Sequence, residues 1–265
     1  MIPKVIHYCW FGHNPLPKSA RKCIASWRKY LPDYEIKEWN EDNFDVNIIP
    51  YTKEAYEAKK YAFVSDYARF WILYHHGGIY FDTDVEVIRS MDEIIARGPF
   101  MGREAGAYIK DICDVGVLYS GSGTGLGVAP GLGLGASSGH GLYKELLDVY
   151  ANLNFRNNDG TLNTKTIVSY TTEVLLKHGL NENNDEPQVV SGVWIYPSDV
   201  FCPMDHTQAN KLNITNRTVS IHLYDCSWIN HNTIGYKLHL LKNWLSRQLG
   251  VGFVNSCADI IKGRK

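Results

Sequence analysis

The sequence lacks the cysteine patterns of a disulfide-rich or zinc-binding protein. Its 265 residues include 6 cysteines, with no Cys-x-x-Cys pair and no cluster at metal-ligand spacing, so neither a disulfide scaffold nor a zinc site is expected. The N-terminus lacks the basic segment and cleavage site of a signal peptide. We therefore expect a reducing, cytoplasmic location. The cysteines are Cys9, Cys23, Cys113, Cys202, Cys226 and Cys257.

An excess of charge of one sign and a membrane-spanning run are also missing. The chain has 27 Lys+Arg and 28 Asp+Glu, a net charge of -1, which gives no general attraction to nucleic acid. The most apolar helical stretch, residues 61–76, is interrupted by Asp66 and Arg69. No other run is long and apolar enough to cross a membrane. We expect neither nucleic acid as a partner nor a transmembrane segment.

The composition is that of a folded globular protein. Hydrophobic residues make up 45% and charged residues 21% of the chain, which excludes disordered and coiled-coil classes. A mass of 30.1 kDa suits one sizeable domain. Aromatic residues, at 12%, suit either a core or the stacking of flat ligands.

Hydrophobic periodicity predicts alternating strands and helices in the N-terminal part. This alternation indicates an α/β fold, in which ligands bind at the carboxyl ends of the strands. The predicted elements are a strand at Val5–Trp10, a helix after Pro17, a strand at Tyr34–Trp39, a helix at Lys53–His76 ended by Gly77 and Gly78, a strand at Ile79–Phe81 and a helix at Met91–Ala96.

The second half of the chain gives a weaker pattern. Residues 116–141 are dense in glycine, which favours a mobile or tightly turning loop. Gly131, Gly133 and Ala136 could be read as a dinucleotide fingerprint, but no strand clearly precedes them and no acidic residue follows at the required distance. The other predictions are helices at Tyr143–Asn152 and Thr164–His178 and strands at Val193–Tyr196 and Val219–Tyr224.

The last 29 residues differ from the rest in charge. Residues 237–265 hold six basic side chains and one acidic one, a net of +5, which leaves -6 for residues 1–236. Leu238, Leu241, Leu245 and Leu249 form one helical stripe. Such a helix could pack on its own domain or lie on a membrane surface, and both interpretations stay open. We take residues 1–236 as the main domain and 237–265 as a basic amphipathic helical tail.

Two carboxylates follow the third predicted strand. Asp82 and Asp84 are spaced at i and i+2 where the strand runs into a loop, so both side chains can face one side. Such a pair can hold Mg²⁺ or Mn²⁺ with coordination positions left for phosphate oxygens. A solvated turn gives the same pattern. Upstream, Asp66 and Arg69 share one helical face, as an ion pair or as ligand-binding groups.

These residues carry a resemblance to glycosyltransferase family 32. The pattern Ser-Asp-x-x-Arg, Leu, Gly-Gly-Ile-Tyr-x-Asp-x-Asp resembles that family's signature, shared with fungal outer-chain mannosyltransferases, bacterial surface-polysaccharide enzymes and the glucosyltransferase domains of clostridial toxins. The opening segment PKVIHYCWFG also resembles the family's first strand. The matching positions are Ser65, Asp66, Arg69, Leu73, Gly77, Gly78, Ile79, Tyr80, Asp82 and Asp84.

The resemblance implies roles for individual residues. Trp10 would stack on the base of the nucleotide sugar, Asp66 would bind ribose or sugar hydroxyls, and Arg69 the sugar or diphosphate. Tyr80 would lie near the nucleotide. The C-terminal segment IHLYDCSWIN supplies the family's remaining pattern. In it, His222 would be a metal or diphosphate ligand, and Ser227 and Trp228 would close over the phosphates.

The predicted protein is therefore an α/β domain of the GT-A type, with a nucleotide-binding sheet and a more helical acceptor half. It would transfer a sugar, with retention at the anomeric carbon, from a nucleotide sugar to a hydroxyl of a glycan. Asp82, Asp84 and His222 would bind the metal, with Mn²⁺ favoured by the imidazole and Mg²⁺ as the alternative. A uridine diphosphate sugar is the favoured donor, carrying a hexose or an N-acetylhexosamine.

Surface or capsular polysaccharide is the expected product, and a lipid-linked oligosaccharide at the membrane is a possible acceptor if the tail binds anionic lipid. Two other classes remain. A phosphohydrolase is disfavoured because Glu86 stands where its motif expects Thr or Val. A non-catalytic glycan- or nucleotide-binding module is disfavoured by the number of convergent charges.

Overall fold

A computed structural model describes residues 1–105, 126–182, 186–205 and 211–223. The N-terminal elements are β1 (Val5–Cys9), α1 (Lys18–Tyr30), β2 (Glu35–Trp39), α2 (Pro50–Glu57), α3 (Tyr61–His76), β3 (Gly78–Tyr80), β4 (Val85–Val87), α4 (Asp92–Ala96) and β5 (Phe100–Ala105). They are followed by β6 (Leu126–Val128), a 3-10 turn (Pro130–Leu132), β7 (Leu134–Ala136), α5 (Gly141–Ala151), α6 (Ile167–Lys177), β8 (Gln188–Val190), β9 (Val193–Tyr196), α7 (Ser198–Phe201), β10 (Met204–Asp205), β11 (Lys211–Leu212) and β12 (Ser220–His222).

One mixed sheet organises these elements. Its strand order is β2-β1-β3-β7-β5-β9-β8, with β6 paired to β5. Strands β2, β1 and β3 are parallel to one another, whereas β7 is antiparallel to both β3 and β5. The α/β class is confirmed, and β1 to β3 form the parallel half expected of a GT-A fold. The second half adds helices α5 and α6 and continues the same sheet through β5 to β9.

Burial on both faces explains why β1 is a nearly continuous apolar run. Four of its five residues are buried, as in a parallel strand covered by helices on both sides. On α1, the side chains at helical spacing that face the core are Ala20, Cys23, Ile24 and Trp27. The indole Nε1 of Trp27 donates a hydrogen bond to the carbonyl oxygen of Val85, at 2.8 Å, and so fastens α1 to β4.

The predicted helix from Lys53 to His76 is two helices. α2 ends at Glu57 and α3 begins at Tyr61, and Lys59 between them has a φ of +56°. That left-handed conformation interrupts the helix. The sequence here contains no glycine or proline, so the break carries no ordinary signal.

The prediction of a loop for the glycine-rich segment is wrong for its described part, which forms two short strands joined by a 3-10 turn. β7 pairs with β3 through Gly78↔Ala136, Ile79↔Gly135 and Tyr80↔Leu134, in the middle of the sheet. Three of the segment's described glycines, Gly131, Gly133 and Gly135, lie where a side chain would collide, and a Cβ on Gly135 would stand 2.5 Å from Cε1 of Phe100. Glycine here permits close packing rather than mobility. Residues 116–125 lie outside the described part.

Within the described residues, no helix is long and apolar enough to cross a membrane. The tail at residues 237–265 lies outside the part of the chain that the structure describes. Its two interpretations, packing and membrane contact, therefore stay predictions.

His7 is a buried histidine whose hydrogen bonds require the neutral ring. Its Nδ1 accepts a hydrogen bond from Nε1 of Trp39, at 3.0 Å, because an indole N–H can only donate. Its Nε2 therefore carries the proton and donates to the carbonyl oxygen of Gly77, also at 3.0 Å. Burial, aided by the nearby His76, lowers the pKa of His7 to about 4. A protonated His7 would lose the bond from Trp39.

We predict that this site makes the fold less stable in mild acid. The pKa of His7 is lower in the folded chain than the value of 6.5 for the unfolded one, so stability is complete above pH 6.5 and falls as the pH drops towards 4. The full loss is roughly 3 kcal/mol, at about 1.36 kcal/mol per pKa unit. Urea unfolding at pH 7.5, 6 and 5 would measure it.

His7→Gln is the matched variant for that experiment, since an amide can both accept from Trp39 and donate to Gly77 without titrating. We expect a flatter pH dependence for His7→Gln and an unchanged one for His75→Gln, at an exposed position on α3. Equal slopes for the wild type and His7→Gln would contradict the assignment to His7.

Candidate functional site

The two carboxylates lie directly after β3, at the carboxyl edge of the parallel strands. The backbone N–H of Phe81 donates to the carbonyl oxygen of His7 on β1, which continues the pairing by one residue. The N–H of Asp82 then donates to the carbonyl oxygen of Gly131, at 3.0 Å, and the N–H of Val85 donates to the carbonyl oxygen of Asp82. A tight turn therefore presents Asp82 and Asp84 at the edge where ligands of α/β sheets bind.

His222 reaches this turn because β12 pairs with β4. The two strands are antiparallel, with His222 opposite Val85, and the N–H of Leu223 donates to the carbonyl oxygen of Asp84, at 2.9 Å. The imidazole Nε2 of His222 lies 3.1 Å from Oδ1 of Asp84. A pairing across more than a hundred residues thus places the predicted third ligand beside the second.

Together these side chains offer three ligand atoms of the kind that a divalent cation needs. One atom each from Asp82, Asp84 and His222 lies within 4.8 Å of the other two. Burial alone lowers the pKa of the His222 imidazole, but the charges of Asp84 and then Asp82 raise it, to about 9. A proton on this imidazole and a cation at the carboxylates compete for the same negative charge. Two carboxylates and one imidazole suit Mn²⁺ better than Mg²⁺.

Arg69 joins Asp82 to the helix that precedes β3. Its guanidinium lies 3.1 Å from Oδ1 of Asp66 and 3.3 Å from Oδ1 of Asp82, and its Nε donates to the carbonyl oxygen of Ser65. The Tyr80 hydroxyl donates to the same Asp82 oxygen, at 3.0 Å. The ion pair that the sequence left as an alternative is therefore present, and it extends to the metal-ligand candidate.

Burial controls the charges in this network. The side chain of Arg69 is only 5% exposed, and although burial opposes its charge, Asp82 and Asp66 hold its pKa above the usual value. Burial raises the pKa of Asp66 to about 7, against the opposing effect of Arg69. The Tyr80 pKa is raised by burial and by Asp82, so its hydroxyl stays a neutral donor. The Cys9 thiol nearby is also neutral, because burial raises its pKa to about 12.

Trp10 lies at the same edge of the sheet, directly after β1. Its backbone N–H donates to the carbonyl oxygen of Trp39, and its indole Nε1 donates to the carbonyl oxygen of Asn14, at 2.6 Å. The side chain is partly exposed rather than sealed in the core. Its predicted role in base stacking stays a prediction. Ser227 and Trp228 lie outside the described residues, so their predicted place over the phosphates is untested.

Gly131 is a site residue that sequence reasoning missed. Besides accepting the hydrogen bond from Asp82, it lies so close to that side chain that an added Cβ would stand 2.0 Å from Oδ2 of Asp82 and 3.1 Å from a guanidinium nitrogen of Arg69. The dense glycines indicated close backbone approach somewhere in this segment. They did not indicate which glycine meets which carboxylate.

An α/β sheet with an Asp-x-Asp pair at the edge of its parallel strands can bind a divalent cation together with a phosphate-bearing ligand. Residues 17–101 match the family model described as a glycosyltransferase sugar-binding region containing a DXD motif. That region includes Asp66, Arg69, Asp82 and Asp84. The resemblance to a glycosyltransferase of family 32 is thereby confirmed over this part of the chain.

Proteins with similar sequences or structures are named as glycosyltransferases or mannosyltransferases. The chain is 34% identical over 106 residues to an uncharacterized glycosyltransferase of Acanthamoeba polyphaga mimivirus, covering 38% of this chain and 42% of that protein. It is 28% identical over 111 residues to inositol phosphoceramide mannosyltransferase 1 of Schizosaccharomyces pombe, covering 38% and 33%. The chain thus spans less than half of these relatives. The solved PaToxG glycosyltransferase is 17% identical, with a TM-score of 0.49 over 66% of this chain and 69% of that one.

Proposed function

We propose that this protein transfers a sugar from a nucleotide-sugar donor to a hydroxyl group of a glycan or lipid acceptor. The observation that carries the proposal is the convergence of Asp82, Asp84 and His222 within 4.8 Å, inside or beside the DXD region. Three ligand atoms from two distant parts of the chain meet at the edge of the sheet where ligands bind. A solvated turn would not require the third ligand atom, which His222 supplies.

The metal would be held by Asp84, His222 and Asp82, with Mn²⁺ favoured and Mg²⁺ as the alternative. When bound, it would supply positive charge beside a diphosphate leaving group. Arg69 and Asp82 would contact the sugar nucleotide, and the Arg69 guanidinium is fixed for this role by Ser65 and Asp66. A hydrogen-bond donor that is already fixed beside the developing charge, as this guanidinium is, needs no reorganisation during the reaction.

The donor is proposed to be a nucleoside diphosphate sugar whose base stacks on Trp10. The partly exposed indole supports stacking, and a uridine nucleotide is favoured by the resemblance to toxin-like members of the family. The names of the S. pombe relatives support a mannose donor as the other candidate. A hexose or an N-acetylhexosamine is the proposed sugar, transferred with retention of configuration.

The acceptor is proposed to be a surface or capsular glycan, or a lipid-linked one at the cytoplasmic face of the membrane. The basic composition of residues 237–265 supports contact with anionic lipid. The relatives named for inositol phosphoceramide add a phosphoinositol-containing lipid to the acceptors worth testing.

We predict that the protein releases nucleoside diphosphate from one donor only when a divalent cation is present. The assay would offer uridine and guanosine diphosphate sugars with Mn²⁺, with Mg²⁺ or with a chelator, and would measure the nucleoside diphosphate formed. We expect release with Mn²⁺ to exceed release with chelator by at least about 100-fold, because charge stabilisation of the leaving group contributes several kcal/mol.

Equal release with chelator would contradict the metal role. Binding of donor by calorimetry without release, even with acceptors present, would favour a non-catalytic binding module. Absence of both binding and release for every donor would overturn the proposal.

A further inference from the structure

The loop that follows β1 is held in a strained conformation. Two consecutive residues, Gly12 and His13, have φ values of +94° and +54°. The second is not a glycine, and such a conformation persists only where the surroundings enforce it. Gly12 is also confined by packing, since a Cβ there would stand 2.4 Å from Cε2 of Tyr61. The strain lies two residues after Trp10.

Glu41 supplies the contact that enforces this loop. It lies two residues after β2, whose end is beside the end of β1, and its Oε1 accepts a hydrogen bond of 2.5 Å from the backbone N–H of Gly12. Its Oε2 lies 3.8 Å from Nε2 of His13. One carboxylate therefore contacts both strained residues, and hydrogen bonds to a charged acceptor are among the stronger ones in proteins.

The Glu41 carboxylate lies mostly out of contact with solvent. Its side chain is only 11% exposed, and Oε2 is buried with no hydrogen-bond partner among the described residues. The Tyr56 hydroxyl lies within hydrogen-bonding reach of this carboxylate, and the Tyr56 ring packs on Tyr61, with ring centroids 5.4 Å apart. A carboxylate so far from solvent is stabilised only by the contacts around it, so its bond to Gly12 is a fixed part of this loop.

We infer that Glu41 is a positioning residue for the nucleotide base. It holds the Gly12–His13 turn, and this turn, together with the bond from Trp10 to Asn14, fixes the indole before the donor arrives. A preformed platform lowers the entropy lost when the base stacks. The inference rests on the proposed function, because it takes Trp10 as the stacking residue.

Steady-state kinetics with the donor that the wild-type chain cleaves would test the inference. Glu41→Met keeps the side-chain volume and removes the acceptor, whereas Glu41→Gln keeps an acceptor for Gly12 N–H. We expect Glu41→Met to raise the donor KM about 10-fold with kcat changed less than about 2-fold, as loss of a charge-assisted bond implies. Glu41→Gln should stay near the wild type, as should Glu35→Ala, which changes an exposed glutamate on β2.

A double-mutant cycle with Trp10 separates positioning from a general structural effect. If Glu41 acts through the indole, Glu41→Met adds no further rise in KM to Trp10→Ala. An additive effect, or a Glu41→Gln variant as poor as Glu41→Met, would overturn the inference. So would a wild-type KM in Glu41→Met. A wild-type chain that cleaves no donor would instead contradict the proposed function, which keeps the two failures distinct.

Discussion

Asp84→Asn is expected to abolish metal-dependent release of nucleoside diphosphate, with a loss of at least about 1000-fold. The substitution removes the carboxylate that lies 3.1 Å from His222 and shares the ligand cluster with Asp82. An amide is a weak ligand for a divalent cation, and the remaining Asp82 is already paired with Arg69. Release of nucleoside diphosphate at saturating Mn²⁺ and donor would measure the loss.

The backbone contact of Asp84 should survive this change, although the side-chain contact with His222 loses its charge. The Asp84 carbonyl oxygen accepts from Leu223, and that bond is unaffected by an amide side chain. Urea unfolding of Asp84→Asn in the absence of metal should therefore remain cooperative, with the free energy of unfolding lowered by about 1–3 kcal/mol through loss of the charged contact with His222. Asp92→Asn, at an exposed position on α4, serves as the control for loss of one negative charge. More than a tenth of wild-type activity in Asp84→Asn would contradict the assigned metal site.

Local patterns were sufficient for the elements that position the Asp-x-Asp pair. β1 and β2 show the apolar run and the alternation of sheet strands, α1 shows helical spacing, and Gly77 ends α3 with a φ of +66°. These signals act over a few residues, so they can be read from the chain alone. Asp66 and Arg69, one helical turn apart, belong to the same category.

Contacts distant in sequence could not be predicted in this way. The place of β7 depends on pairing across more than fifty residues with β3 and more than thirty with β5, and glycines contribute no hydrophobic periodicity to indicate a strand. The contact of Glu41 with Gly12 depends on two strand ends lying side by side. His222 was found only through the resemblance to a family, because no local pattern connects it with Asp84.

Gly131→Ala is expected to lower activity about 100-fold. Such a loss would show that the 3-10 turn holding Gly131 is part of the site. The backbone at Gly131 is not in the left-handed region, so the obstacle to a side chain is its neighbour and not its own conformation. An added Cβ would stand 2.0 Å from Oδ2 of Asp82, and one of the two must move. A shift of about 1 Å in a catalytic group costs on the order of 100-fold in rate.

Two other glycines separate this effect from general overpacking. Gly135→Ala would place a Cβ 2.5 Å from Cε1 of Phe100 in the core, so it should lower the free energy of unfolding by about 1–3 kcal/mol while the folded molecules keep their activity. Gly141→Ala, at the start of α5 with nothing within 4 Å, should change neither. Activity per folded molecule, from donor assays normalised by urea unfolding, distinguishes them. If Gly131→Ala loses only stability, as Gly135→Ala should, then the turn supports the sheet and Asp82 does not depend on it for its position.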